Sequence, residues 1–186
     1  EILHTEIAGT VPIRLKSEGA ESDRLIHFKL DTLMREVKTG KLHSLEHKTG
    51  SRLTRAWEEK WHLLIQVWTY SHVLNMLAEN GRDEVGEVII NGAILRKSSQ
   101  EFLRLPIRKT TEQMRKGLWE INHYYDQLED NMDILCNSST SQPVLACFPP
   151  NGMSCSKFGC QFPGMCSEWS NPLRRQPDGS GMCSPR

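Results

Sequence analysis

Residues 24–50 read RLIHFKLDTLMREVKTGKLHSLEHKTG, and this stretch decides the fold. Leu25, Ile26, Phe28, Leu30 and Leu33 supply the apolar content of a strand over Arg24–Glu36. Lys38-Thr39-Gly40 is a turn signal, because Gly40 can take the positive φ that a tight turn demands. Leu42–Lys48 then returns as a second strand of the same hairpin. The midpoint between Asp31 and Glu46 falls in the turn, so the two are opposite each other, or one rung apart if Gly40 makes a bulge.

That register has a chemical consequence. Directly opposed residues carry their Cβ atoms about 5 Å apart, and two carboxylates held so close repel in a low dielectric. A divalent cation removes the conflict. Side chains alternate along a strand, so Glu46 and Lys48 share a face and His47 points the other way. One face of the hairpin therefore holds two carboxylates and an ammonium. Mg²⁺ takes oxygen ligands of this kind, and a lysine beside it can orient a water or offset charge on a phosphate. Taken alone, Asp31, Glu46 and Lys48 are better read as an ordinary cross-strand charge pair on a surface hairpin, because D…ExK often occurs by chance.

Outward from the hairpin, Glu1–Leu15 reads as a strand with a break at Gly9, and Ser17–Asp23 as a loop. Thr49-Gly50-Ser51 ends the hairpin. A long helix is expected over Thr54–Glu79, with Trp57, Trp61, Leu64, Ile65, Trp68 and Leu77 mainly at helical spacing and Asn80-Gly81 as its stop. Val85–Leu95 offers a strand, with Val88-Ile89-Ile90 β-branched throughout, and Phe102–Arg108 a further one. Thr110–Leu135 reads as a second helix with Thr110 or Thr111 as N-cap. From Asn137 onward Ser, Pro, Gly and Cys take over. The expected organisation is an α/β domain over 1–136 and a Cys-rich tail over 137–186.

The apolar fraction of 38% and charged fraction of 25% are those of a globular chain, and the formal net charge of zero argues against a protein that simply coats nucleic acid. No apolar run has the length of a membrane span and no signal peptide opens the chain, so a cytoplasmic protein with no membrane partner is expected. Arg104, Arg108, Lys109, Arg115 and Lys116 make a local basic stretch interleaved with Glu101 and Glu112, the composition of a solvated face. The tryptophans at helical spacing read as core.

None of the six cysteines precedes Cys136, and Cys147, Cys155, Cys160 and Cys166 crowd into one segment. Such clustering reads as a metal or cluster site rather than a spread of disulfide staples. Four thiolates hold either an iron–sulfur cluster or Zn²⁺.

The strand carrying Asp31, the strand carrying Glu46-His47-Lys48, a long helix and a further strand follow one another in an order that resembles the PD-(D/E)XK nucleases. Lys48-Thr49-Gly50 is similar to the KTG that closes this motif in RecB-like members, and Gln66-Val67-Trp68-Thr69-Tyr70 matches their QxxxY motif, with Gln66 and Tyr70 on one helix face. The resemblance covers roughly residues 1–97. It implies a restriction-endonuclease-like αβββαβ core whose first helix would lie upstream of Glu1. It implies a DNA exonuclease acting on single-stranded or free ends, in a phage or prokaryotic recombination or repair setting with partner proteins. Asp31, Glu46 and the main chain of His47 would hold Mg²⁺ or Mn²⁺, Lys48 would be the catalytic lysine, and Gln66 and Tyr70 would support the site or contact DNA.

In the tail, Cys155, Cys160 and Cys166 look like the C-terminal ligand trio of the [4Fe–4S] cluster in AddAB-type and CRISPR-adaptation exonucleases. The fourth ligand would lie upstream or be Cys147, with zinc as the alternative occupant. Two departures stand out. The first cysteine spacing is longer than usual. Phe28 replaces a glycine often found three residues before the aspartate, where a bulky side chain would alter the approach of DNA. His4, Glu6 and His27 are nearby auxiliary candidates. Two rival readings are a non-catalytic DNA-binding module that keeps the fold and a zinc-stabilised interaction module with an accidental D…ExK.

Overall fold

A computed structural model describes residues 1–14, 24–78, 84–147, 149, 163–164, 170–171 and 173. It is a mixed α/β structure built on a five-stranded sheet in the order β1-β2-β3-β4-β5. The strands are β1 (Ile2–Pro12), β2 (Leu25–Arg35), β3 (Lys41–Gly50), β4 (Glu84–Leu95) and β5 (Gln100–Ile107). β1, β2 and β3 form an antiparallel meander, β4 runs parallel to β3, and β5 returns antiparallel to β4. Parallel neighbours need a crossover, and helices α1 (Arg55–Glu59) and α2 (Ile65–Leu77) provide it.

The hairpin turn is as the sequence requires. Gly40 takes φ 74°, and its N–H donates to the Glu36 carbonyl at 2.8 Å. The first strand differs from expectation at Gly9, where no break occurs: Gly9 pairs with Phe28 inside a continuous ladder. A Cβ there would sit 3.1 Å from the Phe28 ring, so the glycine makes room for an aromatic side chain. Phe28 is buried with Val11, Leu30 and Val73.

The expected helix over Thr54–Glu79 is also corrected. α1 starts where predicted, with Thr54 Oγ1 accepting from the Trp57 N–H at 3.1 Å. It ends at Glu59, a 3₁₀ turn follows over Lys60–His62, and α2 begins only at Ile65. Geometry gives the reason. At 3.6 residues per turn an unbroken helix would carry Val67 and Leu74 roughly 80–140° around the axis from Trp57 and Trp61. All four are buried in one core cluster with Leu33, Leu42, Val88 and Ile94. The break re-phases the helix so that both pairs face the sheet. The two tryptophans meet edge to face, with ring centroids 5.3 Å apart.

α3 (Thr111–Cys136) is opened by a reciprocal cap: the Gln113 N–H donates to Thr110 Oγ1, and the Thr110 N–H to Gln113 Oε1. Its Met114, Gly117 and Leu118 are buried, Gly117 lying so close to Trp68 that a Cβ would fall 2.6 Å from the indole. No helix among the described residues is long and apolar enough to cross a membrane.

The chain divides into two compact units, Glu1–Asn122 and His123–Arg186, the division falling within α3. In the second unit Asn171 is buried and acts as a clasp. Its Nδ2 donates to the Ser139 and Gln142 carbonyls, and its Oδ1 accepts from the Leu173 N–H. Cys136 is exposed and Cys147 buried, both as free thiols. Cys155, Cys160, Cys166 and Cys183 lie outside the described residues.

Candidate active site

The site forms where β2 and β3 part. Their ladder runs from Arg35↔Leu42 to Thr32↔Leu45 and ends there. The next rung would have been Asp31 opposite Glu46, as the sequence count requires. Instead the Asp31 carboxylate reaches across the opening, and its Oδ2 accepts from the His47 N–H at 2.8 Å. On the other side, the β1–β2 ladder passes from Thr5↔Thr32 to Ile7↔Leu30, omitting Glu6 and Asp31, and Glu6 takes φ 51°. Asp31 thus sits at a discontinuity shared by both neighbouring strands, and its carboxylate occupies a gap in the backbone network. A strand residue directs its N–H and C=O to the same edge, so the His47 carbonyl faces the same fork.

β3 alternates as predicted. Leu42, Ser44 and Glu46 are buried, whereas His47 is exposed. Glu46 is only 5% exposed, and the donors around it are distributed unevenly. Lys48 Nζ forms an ion pair with Oε1. Gln66 Nε2, from the first turn of α2, donates to that same Oε1 at 2.8 Å. Oε2 is buried and has no hydrogen-bond partner. The N-terminal end of α2 adds the positive pole of a helix dipole near this carboxylate, with no acidic residue in its first turn to offset it.

Gln66 Nε2 also contacts the Tyr70 hydroxyl at 3.0 Å, and that hydroxyl donates to the Lys29 carbonyl at 2.7 Å. Burial holds the Tyr70 phenol above its usual range, opposed by the Gln66 hydrogen bond, so it remains a donor. The Gln66–Tyr70 pair ties α2 to the backbone of β2 two residues before Asp31. Asp31, Glu46, Lys48, Gln66 and Tyr70 therefore lie in one connected arrangement drawn from β2, β3 and α2.

Other residues enter that the sequence reading assigned to the core alone. Lys48 Nζ lies 5.9 Å from the Trp61 ring, and Lys60 Nζ lies 4.4 Å from the same ring. Trp61 thus has two ammonium groups near its ring. No periodicity signal could have announced this, because it depends on the break after α1. Of the auxiliary candidates, Glu6 pairs with Lys29 at 2.7 Å on the exposed surface. His4 and His27 are exposed strand residues, facing Leu33 and Thr10 in the ladder. On the opposite face of the sheet the His47 ring meets the Asn91 amide at 3.0 Å, and Arg104 Nε donates to Asn91 Oδ1 at 3.4 Å. Phe28 does not stand over the site: it is a core residue, so the sequence-based expectation that it alters DNA approach gives way to a packing role.

A hard cation fits this donor set. The unpartnered Glu46 Oε2, the Asp31 carboxylate and the His47 carbonyl are all oxygens, the preference of Mg²⁺ and Mn²⁺. Water would complete the shell, since no group of three or more His, Cys, Asp and Glu side chains gathers for a metal among the described residues. No protein-family model, curated protein or solved structure matches this chain.

Proposed function

We propose that this chain is a metal-dependent deoxyribonuclease of the PD-(D/E)XK, RecB-like type, hydrolysing phosphodiester bonds in DNA and acting from ends. One observation carries the reading: a buried glutamate, Glu46, keeps one oxygen unsatisfied at the fork where Asp31 interrupts two ladders. The succession of an antiparallel meander, a helical crossover and a strand parallel to β3 supports the restriction-endonuclease-like core without its first helix.

In this reading Asp31, Glu46 and the His47 carbonyl hold Mg²⁺ or Mn²⁺. When bound, the ion offsets charge developing on the phosphate and acidifies a neighbouring water. Lys48 uses one N–H on Glu46 Oε1 and directs its remaining donors to the attacking water. The water oxygen bonds to phosphorus, the bond from phosphorus to the leaving ribose oxygen breaks, the water's proton passes to solvent, and the leaving oxygen takes a proton from solvent to become a hydroxyl. Gln66 fixes the Glu46 carboxylate through Oε1, so that Oε2 keeps one direction. Tyr70 holds Gln66 and the β2 backbone together. The same reading gives the tail a structural [4Fe–4S] cluster, with zinc as the alternative. Visible absorption with stoichiometric iron would favour the first, and a colourless protein with stoichiometric zinc the second.

The test is digestion of end-labelled single- and double-stranded DNA with Mg²⁺, Mn²⁺ or EDTA, comparing the parent with Asp31→Ala. Metal-dependent cleavage by the parent that the variant lacks is expected. Cleavage that survives Asp31→Ala, or that proceeds in EDTA, would sink the assignment.

A further inference from the structure

The break between α1 and α2 leaves an apolar step beside the candidate site. Leu63 is 81% exposed, Leu64 37% and Ile65 46%, three consecutive large aliphatic side chains turned to solvent. Single exposed leucines are ordinary, but a continuous run on a rigid element asks for an occupant. The turn is held by hydrogen bonds. The Leu63 and Leu64 N–H groups both donate to the Lys60 carbonyl, at 3.0 and 3.1 Å. Lys109 lies 3.9 Å from the Trp68 ring and braces the turn from behind by donating to the His62 carbonyl at 2.6 Å. Desolvation lowers the Lys109 pKa, in keeping with a buttressing position away from bulk water.

The position of the step follows from its two ends. Trp61, just before it, is 5.9 Å from Lys48 Nζ. Gln66, just after it, is bonded to Glu46. The residues between can only border the site. Two ammonium groups lie near Trp61: Lys48, paired with Glu46, and Lys60, which has no carboxylate partner among the described residues. The neighbouring Glu59 is already engaged by Arg55 at 2.6 Å.

Apolar side chains next to ammonium groups match a polymer that offers base faces beside phosphates. A duplex buries its base faces in the stack, whereas a single strand exposes them. We infer that Leu63, Leu64 and Ile65 form a lip that contacts the unpaired bases of single-stranded DNA while Lys60 takes a neighbouring phosphate, so that this site selects single strands and frayed ends. The inference rests on the nuclease reading above and names the device by which that site chooses its substrate.

The test separates the two. Fluorescence anisotropy with a fluorescein-labelled oligonucleotide, single-stranded or annealed to its complement, is measured in EDTA, where no metal-dependent cleavage occurs. Parent, Leu63→Ser and Lys60→Gln are compared. The parent should prefer the single strand. Leu63→Ser should weaken single-strand binding about tenfold and leave duplex binding unchanged, because base contact is lost and phosphate contact kept. Lys60→Gln should weaken both and lower the single-strand salt slope by about 0.7.

Leu63 is so exposed that its replacement leaves the core intact, and circular dichroism checks this. Equal binding of single strand and duplex by the parent, no single-strand binding at all, or an unchanged preference in Leu63→Ser would overturn the lip. So would a change in sedimentation of Leu63→Ser without a change in DNA binding, which would make the step a self-association surface. Selective binding without Asp31-dependent cleavage would leave the lip standing and remove the nuclease reading instead.

Discussion

Acidification should destabilise this protein through His72. Its ring is completely buried, with Nε2 donating to the Pro12 carbonyl at 2.7 Å and Nδ1 meeting no partner. Burial lowers its pKa from the ordinary value of 6.5, opposed only by the Pro12 hydrogen bond. Protonation would place a charge and a second N–H in an environment with nothing to accept it. The folded value lies below the unfolded one, so the unfolded chain binds more protons once the pH drops below about 6.5. Stability is therefore insensitive to this group above that pH and declines as the pH falls through the window beneath it. Between pH 7.5 and 5.5 the loss is at most about 1.4 kcal/mol, the limit in which the folded ring takes up no proton, or at most roughly 4 °C in Tm for a chain of this size. Urea denaturation followed by tryptophan fluorescence at both pH values, on the parent and on His72→Gln, isolates the term, because every other titrating group is common to both proteins. The glutamine variant should be less stable at pH 7.5 and should lack this part of the acid sensitivity. The same pH dependence in both would refute the neutral, buried imidazole.

Lys48→Ala should reduce cleavage by at least about a hundredfold, and it should not leave the fold untouched. Glu46 is buried, so removing its ion partner should cost about 1–3 kcal/mol in urea unfolding. Unchanged cleavage would remove Lys48 from the mechanism. Gly92→Ala would place a Cβ 2.7 Å from Trp57 and 2.9 Å from Leu103, and about 1–3 kcal/mol of overpacking is expected by the same assay. Wild-type stability in that variant would show that Trp57 is free to shift. Mn²⁺ at roughly ten times its Kd should stabilise the parent by about 1.4 kcal/mol in thermal unfolding and give no such shift in Asp31→Asn. An equal shift in both would place the ion elsewhere.

The parts of this structure set by local chemistry were legible in the sequence. Alternation and Gly40 specify the β2–β3 hairpin, Thr54 and Thr110 mark two helix starts, and the β-branched run in β4 identifies a strand. What escaped depends on distant partners. Nothing in Lys60-Trp61-His62-Leu63-Leu64 forbids a helix. The break arises because Trp57 must lie against Gly92 while Gln66 must reach Glu46, and one straight helix cannot do both. Gly9 looked like a strand breaker because only the fold reveals the Phe28 ring it accommodates. Phe28 looked like an obstruction because only the fold reveals Val11, Leu30 and Val73 packed around it. The residue types and order of the site could be read from sequence. The fork could not, since it requires Asp31 to forgo its rung and take the His47 N–H instead.

An unsatisfied buried atom is not evidence of function by itself. Ser44 Oγ, Trp61 Nε1 and His72 Nδ1 are unsatisfied here as well. His72 has a structural explanation, since its other nitrogen anchors the end of β1. Glu46 differs in the way its donors are placed. A carboxylate buried only for stability would be served at both oxygens, or replaced by an apolar side chain at no loss. Lys48 and Gln66 instead converge on Oε1, and Oε2 is left bare at a cost of about 1–3 kcal/mol. A few residues away the backbone is irregular for the same point in space: Glu6 occupies a left-handed conformation beside the missing rung, and Asp31 spans the gap. Strain, an interrupted ladder and an unmet acceptor around two carboxylates are separately unfavourable. Their coincidence is what a site arranged for a cation would produce, and no packing requirement of the sheet accounts for all three.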